Sequence, residues 1–419
     1  MNLRVLTFLA WRNLWRNRRR TIITLSTISF GFALAVLSIG IGDGGHNNMI
    51  RNGTQMGEGQ LTLQHQDYLA SPGNHLVIND GLSLMEHPAL KAVPGRVAPR
   101  VFLQVLVSTA HNSLGGGMQG LASSNDPLHE LLEPKLVQGQ WPKPEDITGV
   151  VLGHRMARRL KAKIGSKVVL MAGGENGEVE SRLARVRGIY STGIEQIDSF
   201  LVVGALSLAQ GLLPGNGTGH SAGAITRLAI FLDDPEQTWV IKQQLISQIK
   251  HSTVVVLDWQ QVMPELVNFI VLDDGGNYVW LTIVWVVVVF GIVNTILMSV
   301  LERTREFGLV RALGLRARHL LVMVLIEAML LAMVALLSGW VLGGAFHYYF
   351  AVYGLDLTGA YDPEALTVGT TMMDPVIRSE LSISRMVQLS VTLFVTTLAS
   401  GVYPAYRAAR VTPMAALAT

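Results

Sequence analysis

Twenty-four consecutive residues without a charge, YVWLTIVWVVVVFGIVNTILMSVL from Tyr278 to Leu301, restrict what this chain can become. A helix needs about 20 predominantly apolar residues to cross a bilayer, so 278–301 is a membrane span with a little to spare. A second run, Leu320 to Phe350, is broken only by Glu327 and His347. The joint between them, ERTREFGLVRALGLRAR, sets Arg303, Arg305, Arg311, Arg316 and Arg318 against Glu302 and Glu306. Such an arginine excess beside two spans belongs on the cytoplasmic side. The joint is also patterned as a helix. Glu302 and Arg305, like Arg303 and Glu306, are spaced to pair across a turn, while Phe307, Val310, Ala312 and Leu313 supply an apolar side. Gly308 and Gly314 let the backbone bend or end. Residues 302–319 therefore read as a short, stiff element held between two membrane helices.

Composition agrees with a membrane protein: 49% of the 419 residues are hydrophobic and only 15% charged. Cysteine is absent, so there is no disulfide framework, thiol nucleophile or cysteine-ligated metal. The net charge of +3 suggests a nucleic-acid partner until the charges are located. Residues 1–20 hold Arg4, Arg12, Arg16, Arg18, Arg19 and Arg20 and no acid, whereas residues 43–277 hold 18 Lys and Arg against 22 Asp and Glu. The basicity marks a membrane face, and no nucleic-acid partner is expected.

In chain order, residues 1–20 read as a cytoplasmic amphipathic helix. Leu3, Leu6, Ala10, Leu14, Trp11 and Trp15 share one broad face and the arginines the other, a pattern that lies in the headgroup plane. The apolar run 21–42 is long enough to span and lacks a clean A-x-A end, so a first membrane helix is expected in place of a cleaved signal peptide. Residues 43–277 form one long polar excursion, outside if the N-terminus is inside. Strand patterns appear at Gly59–Leu63, Val101–Thr109, Lys167–Met171, Leu183–Tyr190, Phe200–Val203 and Leu228–Leu232. Helical patterns appear at His154–Leu160, Leu206–Leu213 and Gln237–Ile249. The expectation is an α+β domain, in two subdomains with a seam near Leu212–Gly223. Beyond the spans 278–301 and 320–350 come an outer loop, 351–385, a fourth span, 386–406, interrupted by Gly401, and a cytoplasmic tail, 407–419. The fold class is thus an α-helical membrane protein with four transmembrane helices and a large α+β extracytoplasmic domain between the first and second.

The stretch ERTREFGLVRALGLRARHLLVMVLIEAMLL resembles the permease signature of MacB-type, FtsX-like ABC transporters, with E-R-x-x-E-x-G-x-x-[KR]-A-x-G intact. VVLGHRMARRLKAKIGSKVVLM and RLARVRGIYSTGIEQIDSFLVVGALSLAQGLL are similar to segments of that family's extracytoplasmic domain. The tail YPAYRAARVTPMAALAT is similar to its closing P-A-x-R-A-A-x-x-x-P-x-x-A-L. The layout is nearest to the lipoprotein-releasing permeases. The resemblance implies that Glu302, Arg303, Arg305, Glu306, Phe307, Gly308, Arg311 and Gly314 couple this chain to an ATPase. It implies a second permease protomer and, in the lipoprotein-releasing branch, a lipoprotein substrate and a periplasmic carrier or adaptor. The carrier-binding hook of that branch is not located; the turn Gly173–Val179 is short and polar.

No G-x-x-x-x-G-K-[ST] occurs, so ATP and Mg are expected on a separate ATPase subunit, with no cofactor in this chain. The eleven histidines show no metal-ligand spacing and nearly all read as surface residues, so no metal site is expected. His111–Gly120, HNSLGGGMQG, lacks the basic residue of a phosphate loop and reads as a flexible hairpin. No catalytic constellation stands out. Glu327 is the one acid inside a span, about 10 Å from Leu320 at 1.5 Å per residue, with either a bonding role in the bundle or a coupling role. Gly339, Gly343 and Gly344 form a small-residue face for close helix contact, within the chain or between protomers. The functional expectation is a permease subunit that transmits the motion of a separate ATPase to the outer domain, for lipoprotein release or export of a hydrophobic or peptide substrate. The alternative is an FtsX-like signalling protein that activates a cell-wall hydrolase. An ion-coupled carrier would need broken helices and midplane charges.

Overall fold

The computed structural model describes residues 3–122, 124–143, 145–174, 177–214, 223–249, 251–357, 367–368, 371–372, 374 and 376–410. The chain divides into two compact units, one of Met1–Asn47, Ile270–Leu357 and Val376–Thr419, the other of Asn48–Phe269 and Thr358–Pro375.

The first unit is helical: α1 (Leu3–Leu14), α2 (Arg18–Met56), α3 (Pro264–Glu302), α4 (Thr304–Ala312), α5 (Ala317–Tyr353) and α6 (Ile383–Ala409). The ends of α2 and α3 belong to the second unit. Among the described residues four helices, α2, α3, α5 and α6, are long and apolar enough to cross a membrane. Lipid is as apolar as leucine, so such helices associate through close packing and interhelical hydrogen bonds. Ile28, Phe32, Val36 and Ile39 recur along α2 at helical spacing and are buried. Opposite them, a Cβ on Gly339 would come within 2.8 Å of the Phe32 ring, and one on Gly343 within 3.2 Å of the Ala33 Cα. Gly401 lies as closely on Ala328, where a Cβ would come within 2.6 Å of the Ala328 Cβ. Polar pairs lie between the same helices: Thr24 donates to Thr295 at 2.8 Å, and Trp340 Nε1 donates to Ser390 Oγ at 2.9 Å. Gly344, expected on the same packing face, stands apart: a Cβ there meets no atom within 4 Å.

Several boundaries differ from the sequence reading. The arginines at 18–20 already lie in α2, and residues 43 and 277 fall inside α2 and α3, which run on through the Asp-Gly-Gly sequences at 43–45 and 274–276. Gly401 does not interrupt the fourth helix, which runs on through Pro404. The amphipathic helix α1 buries Leu6, Ala10 and Leu14 in the apolar core of the helical unit and turns Phe8 and Trp11 outward.

The second unit is built on a 10-stranded sheet. Its strands are β1 (Leu61–His65), β2 (Gly95–Ser108), β3 (Ser113–Leu121), β4 (Leu136–Gly139), β5 (Gly149–Gly153), β6 (Lys167–Gly173), β7 (Val179–Tyr190), β8 (Leu201–Ala205), β9 (Arg227–Leu232) and β10 (Val254–Asp258). The order is β10-β1-β9-β2-β3-β8-β5-β7-β4, with β6 pairing β2 and β7. The pairs β3–β8 and β5–β7 are parallel, and the other pairings are antiparallel. β5 and β8 are covered on both faces, so they read as continuous apolar runs. Val150, Leu152 and Val202 enter one hydrophobic core, while Val151 and Val203 enter another with Leu128, Leu132 and Tyr190. The two cores therefore share one sheet among the described residues, where a seam between subdomains was expected; residues 215–222 of that seam lie outside the described residues.

The stretch 111–120 is not a loop throughout. Thr109 to Asn112 makes the turn, and residues 113–121 are β3, paired along β2. Gly117 is needed there, since a Cβ would come within 2.7 Å of the rings of Phe102 and Phe200 that cover it. Missing side chains, which suggest flexibility in the sequence, here make room for aromatic ones.

The glycine contacts yield a direct comparison. Gly343→Leu, pressed against the α2 backbone, is expected to destabilise the protein in detergent by about 1–3 kcal/mol through overpacking. Gly344→Leu, one residue on, is expected to leave unfolding by heat or denaturant unchanged. Equal effects would mean that the α2–α5 approach carries no packing constraint.

Candidate functional site

The joint between α3 and α5 is the candidate site. α3 ends at Glu302, and Arg303 leaves the helical conformation at φ −104°, ψ 11° before α4 begins at Thr304. α4 ends with Gly314 at φ +96°, a left-handed conformation that favours glycine, and the Gly314 N–H caps the Arg311 carbonyl at 3.0 Å. One side of α4 is closed by Phe307 and Gly308, both buried. The other presents Leu309, Val310 and Leu313, the last 81% exposed.

The charges of the joint are organised by partners distant in sequence. Arg16 Nη1 donates to both oxygens of Glu306, at 2.7 and 3.0 Å. Arg20 donates to both oxygens of Glu302, at 2.9 and 2.6 Å, and Asn17 adds a third bond at 3.1 Å. The expected Arg303–Glu306 pair exists at 3.5 Å, but Glu302 turns to Arg20 and not to Arg305. Arg305 is exposed and makes no ion pair among the described residues. The Arg16 hydrogen bonds hold the Glu306 carboxyl below the usual glutamate range, against a smaller opposing effect of burial. The Arg16–Glu306 tie is therefore present above the ordinary carboxylate range and is lost as pH falls through the lowered value. Arg311 donates to the Ala409 carbonyl at the end of α6, at 3.3 Å.

Arg303 and Glu327 form the inner layer. Both are buried, and Arg303 Nη1 lies 3.5 Å from Glu327 Oε2 with its guanidinium over the Phe307 ring, 4.9 Å from the centroid. The acid inside the span thus lies within bonding distance of Arg303 in the joint. Around these groups is a cavity of about 350 Å³ whose polar lining includes Arg16, Arg20, Thr24, Thr295, Glu302 and Glu327. A space of this size and polarity holds water.

The sequence reading did not find Arg16, Asn17 and Arg20. Their arginines were visible only as a topology signal, and no spacing links positions this far apart. His46 and His129, 8% and 7% exposed, are buried exceptions to the reading of nearly all histidines as surface groups. His129 packs edge-on against Trp141, 4.4 Å between ring centroids. His46 lies with Asp43 and Asp274 in the single three-residue group of potential metal ligands among the described residues. Gly339 and Gly343 lie against Phe32, Ala33 and Val36 of α2.

A family model described as MacB-like periplasmic core domain matches residues 21–248, and one described as FtsX-like permease C-terminal matches residues 278–413. The lipoprotein-releasing system transmembrane protein LolC of Haemophilus influenzae is 25% identical over 360 residues, 82% of this chain and 83% of its own length. LolE of the same organism is 21% identical and covers 98% of this chain and 99% of its own. The pyoverdine export ATP-binding/permease protein PvdT of Pseudomonas putida is 26% identical over 97% of this chain, which spans 58% of PvdT.

The buried pair gives a measurable consequence. Glu327→Ala leaves the Arg303 guanidinium buried without its carboxylate, which typically costs about 3–5 kcal/mol. The double replacement Arg303→Met with Glu327→Leu is expected to recover most of that loss in thermal unfolding. A mild effect of Glu327→Ala alone would mean that water in the cavity already neutralises the pair.

Proposed function

We propose a function from one premise: the chain belongs to the MacB-like, FtsX-like permeases and is a permease component of an ABC transporter in the inner membrane. In this reading α4 receives a separate nucleotide-binding subunit, which holds ATP and Mg, while the present chain contributes no nucleotide site. Closure of two such subunits on a pair of permease protomers pushes on α4. The bonds from Glu302 and Glu306 to Arg20 and Arg16 pass that push to the start of α2, and Arg303 with Glu327 passes it to α5. Both termini and α4 lie in the cytoplasm, and the sheet domain lies outside. The work done is release of lipoproteins from the membrane, a reading supported by the relatives named for that process that this chain matches over most of their length.

One observation carries the docking role: Leu309, Val310 and Leu313 are exposed on a helix whose far side is already buried. An apolar set rimmed by arginines is what a protein partner covers. Leu313→Asp is expected to leave stability within about 0.5 kcal/mol, as for other surface substitutions. The same variant is expected to lose co-purification of the ATPase and the ATP-dependent release of lipoprotein. Ile147→Asp, an exposed apolar position in the sheet domain, serves as the comparison and is expected to keep both. Normal ATPase capture by Leu313→Asp would remove α4 as the docking surface.

Orientation is testable without background, because the chain has no cysteine. In intact spheroplasts Ser181→Cys, on exposed β7, is expected to react with an impermeant maleimide, and Thr304→Cys, at the start of α4, only after lysis. Labelling of Thr304→Cys from outside would invert the topology.

A further inference from the structure

We propose that Asp43, His46 and Asp274 bind one zinc-class divalent cation at the end of the helical unit remote from α4, joining α2 to α3. A nitrogen of His46 and one carboxylate oxygen each from Asp43 and Asp274 lie within 4.8 Å of one another. Asp43 and His46 are three residues apart on α2 and so share a face, while Asp274 comes from α3.

The environment of His46 points to a ligand. Its side chain is nine-tenths buried, at 10% exposure. Nε2 lies 2.9 Å from Asp273 Oδ2, and since an ionised carboxylate only accepts, Nε2 carries the hydrogen and donates it. In the neutral ring Nδ1 is then a bare lone pair. It faces Asp274 Oδ1 at 3.9 Å and has no hydrogen-bond donor among the described residues. Two electron-pair donors facing each other across 3.9 Å form a pair of ligand atoms that a cation between them satisfies. A carboxylate that orients the second nitrogen of a ligating imidazole is the usual support of a zinc-bound histidine.

Arg385 occupies the other side of the group without filling this gap. Its Nε lies 3.4 Å from Asp43 Oδ2 and its Nη2 3.7 Å from Asp274 Oδ2, and Nη1 donates to the Tyr278 hydroxyl at 2.7 Å. It bonds the Oδ2 atoms and leaves Asp274 Oδ1 to the imidazole. Three carboxylates, Asp43, Asp273 and Asp274, outnumber this one guanidinium, so the group is negative as it stands and a divalent ion balances it. Zinc bonds nitrogen and oxygen at about 2.0–2.2 Å, which sets neighbouring ligand atoms at roughly 3.3–3.6 Å in a tetrahedron. The 3.9 Å separation therefore closes with less than an ångström of side-chain movement. The imidazole selects zinc, nickel, copper or iron(II) over magnesium and calcium, which prefer all-oxygen sites. With three protein ligands, water takes the fourth position.

The experiment uses the untagged full-length chain in detergent, stripped with chelator and dialysed against zinc or magnesium. The expected result is about one zinc per chain, as for a three-ligand site with one open position. Its thermal unfolding is expected to move upward in zinc and not in magnesium, since a ligand bound to the folded state stabilises it. His46→Ala and Asp274→Asn, which each remove a ligand group, are expected to weaken zinc binding by more than the roughly 10–100-fold that loss of an outer-shell partner costs. His154→Ala, a histidine outside the group, is expected to bind as the parent does. Because His46→Ala can itself loosen the α2–α3 contact, cobalt(II) on the unaltered chain gives an independent reading through the d–d absorption of a nitrogen–oxygen site. Absence of that absorption, zinc bound equally by His46→Ala and the parent, or a stripped parent that takes up no zinc would each overturn the site and leave a protonated His46 as the cation.

Discussion

The joint depends on charges contributed by another part of the chain. α4 has nine residues, too few to hold its direction by its own hydrogen bonds. Its orientation comes from Glu306 on Arg16, from Glu302 on Arg20 at the preceding helix end, and from Arg311 on the last turn of α6. Exposed ion pairs of this type contribute only about 0–1 kcal/mol each. Their importance lies in geometry, since a guanidinium that meets both oxygens of a carboxylate fixes direction as well as distance. The inner pair, Arg303 with Glu327, has the opposite character: it adds little net stability when whole and costs much when broken. Together they make α4 the meeting point of the N-terminal segment, α5 and α6.

Away from the joint the helices meet by different means. Gly339 and Gly343 lie on Phe32 and Ala33, and Gly401 lies on Ala328. Such contacts replace the hydrophobic drive that lipid cannot supply. They are unevenly distributed. Half of the central stretch of α2 and of α5 is buried inside the unit, against 22% for α3 and 28% for α6. α2 and α5 are therefore the inner pair, while α3 offers most of its apolar surface to lipid or to another protein. An apolar surface all round, as in the sequence of α3, is what such a position requires.

Much of this was legible in the sequence because it follows from length and periodicity. The four long helices, the helical joint and the strands at 167–171, 183–190 and 228–232 all announce themselves by apolar runs or alternation. β3 did not, because its glycines serve packing by Phe102 and Phe200, a relation between positions far apart in the chain. β5 was missed for the related reason that a strand buried on both faces shows no alternation. In the site, Glu302, Arg303 and Glu306 were visible as a pattern, and Phe307 as its apolar side. The partners Arg16 and Arg20 were not, since a salt bridge between remote helices leaves no period in the sequence.

The distribution of polar groups limits how such a unit works. At one end lie the four arginine–glutamate pairs and their cavity; at the other lie Asp43, His46, Asp273, Asp274 and Arg385. Between them Ile28, Phe32 and Val36 close against α5 with no space for a side chain at Gly339. A path for a polar solute would have to open this packed centre, at the cost of its tightest contacts. Motion of whole helices avoids that cost. α2 and α3 are each 39 residues long, about 58 Å at 1.5 Å per residue, against a hydrocarbon core of about 30 Å. A continuous helix of that length moves its far end when its near end tilts. The dry centre and the length of the rods together favour a unit that passes force through the membrane and leaves the bilayer closed.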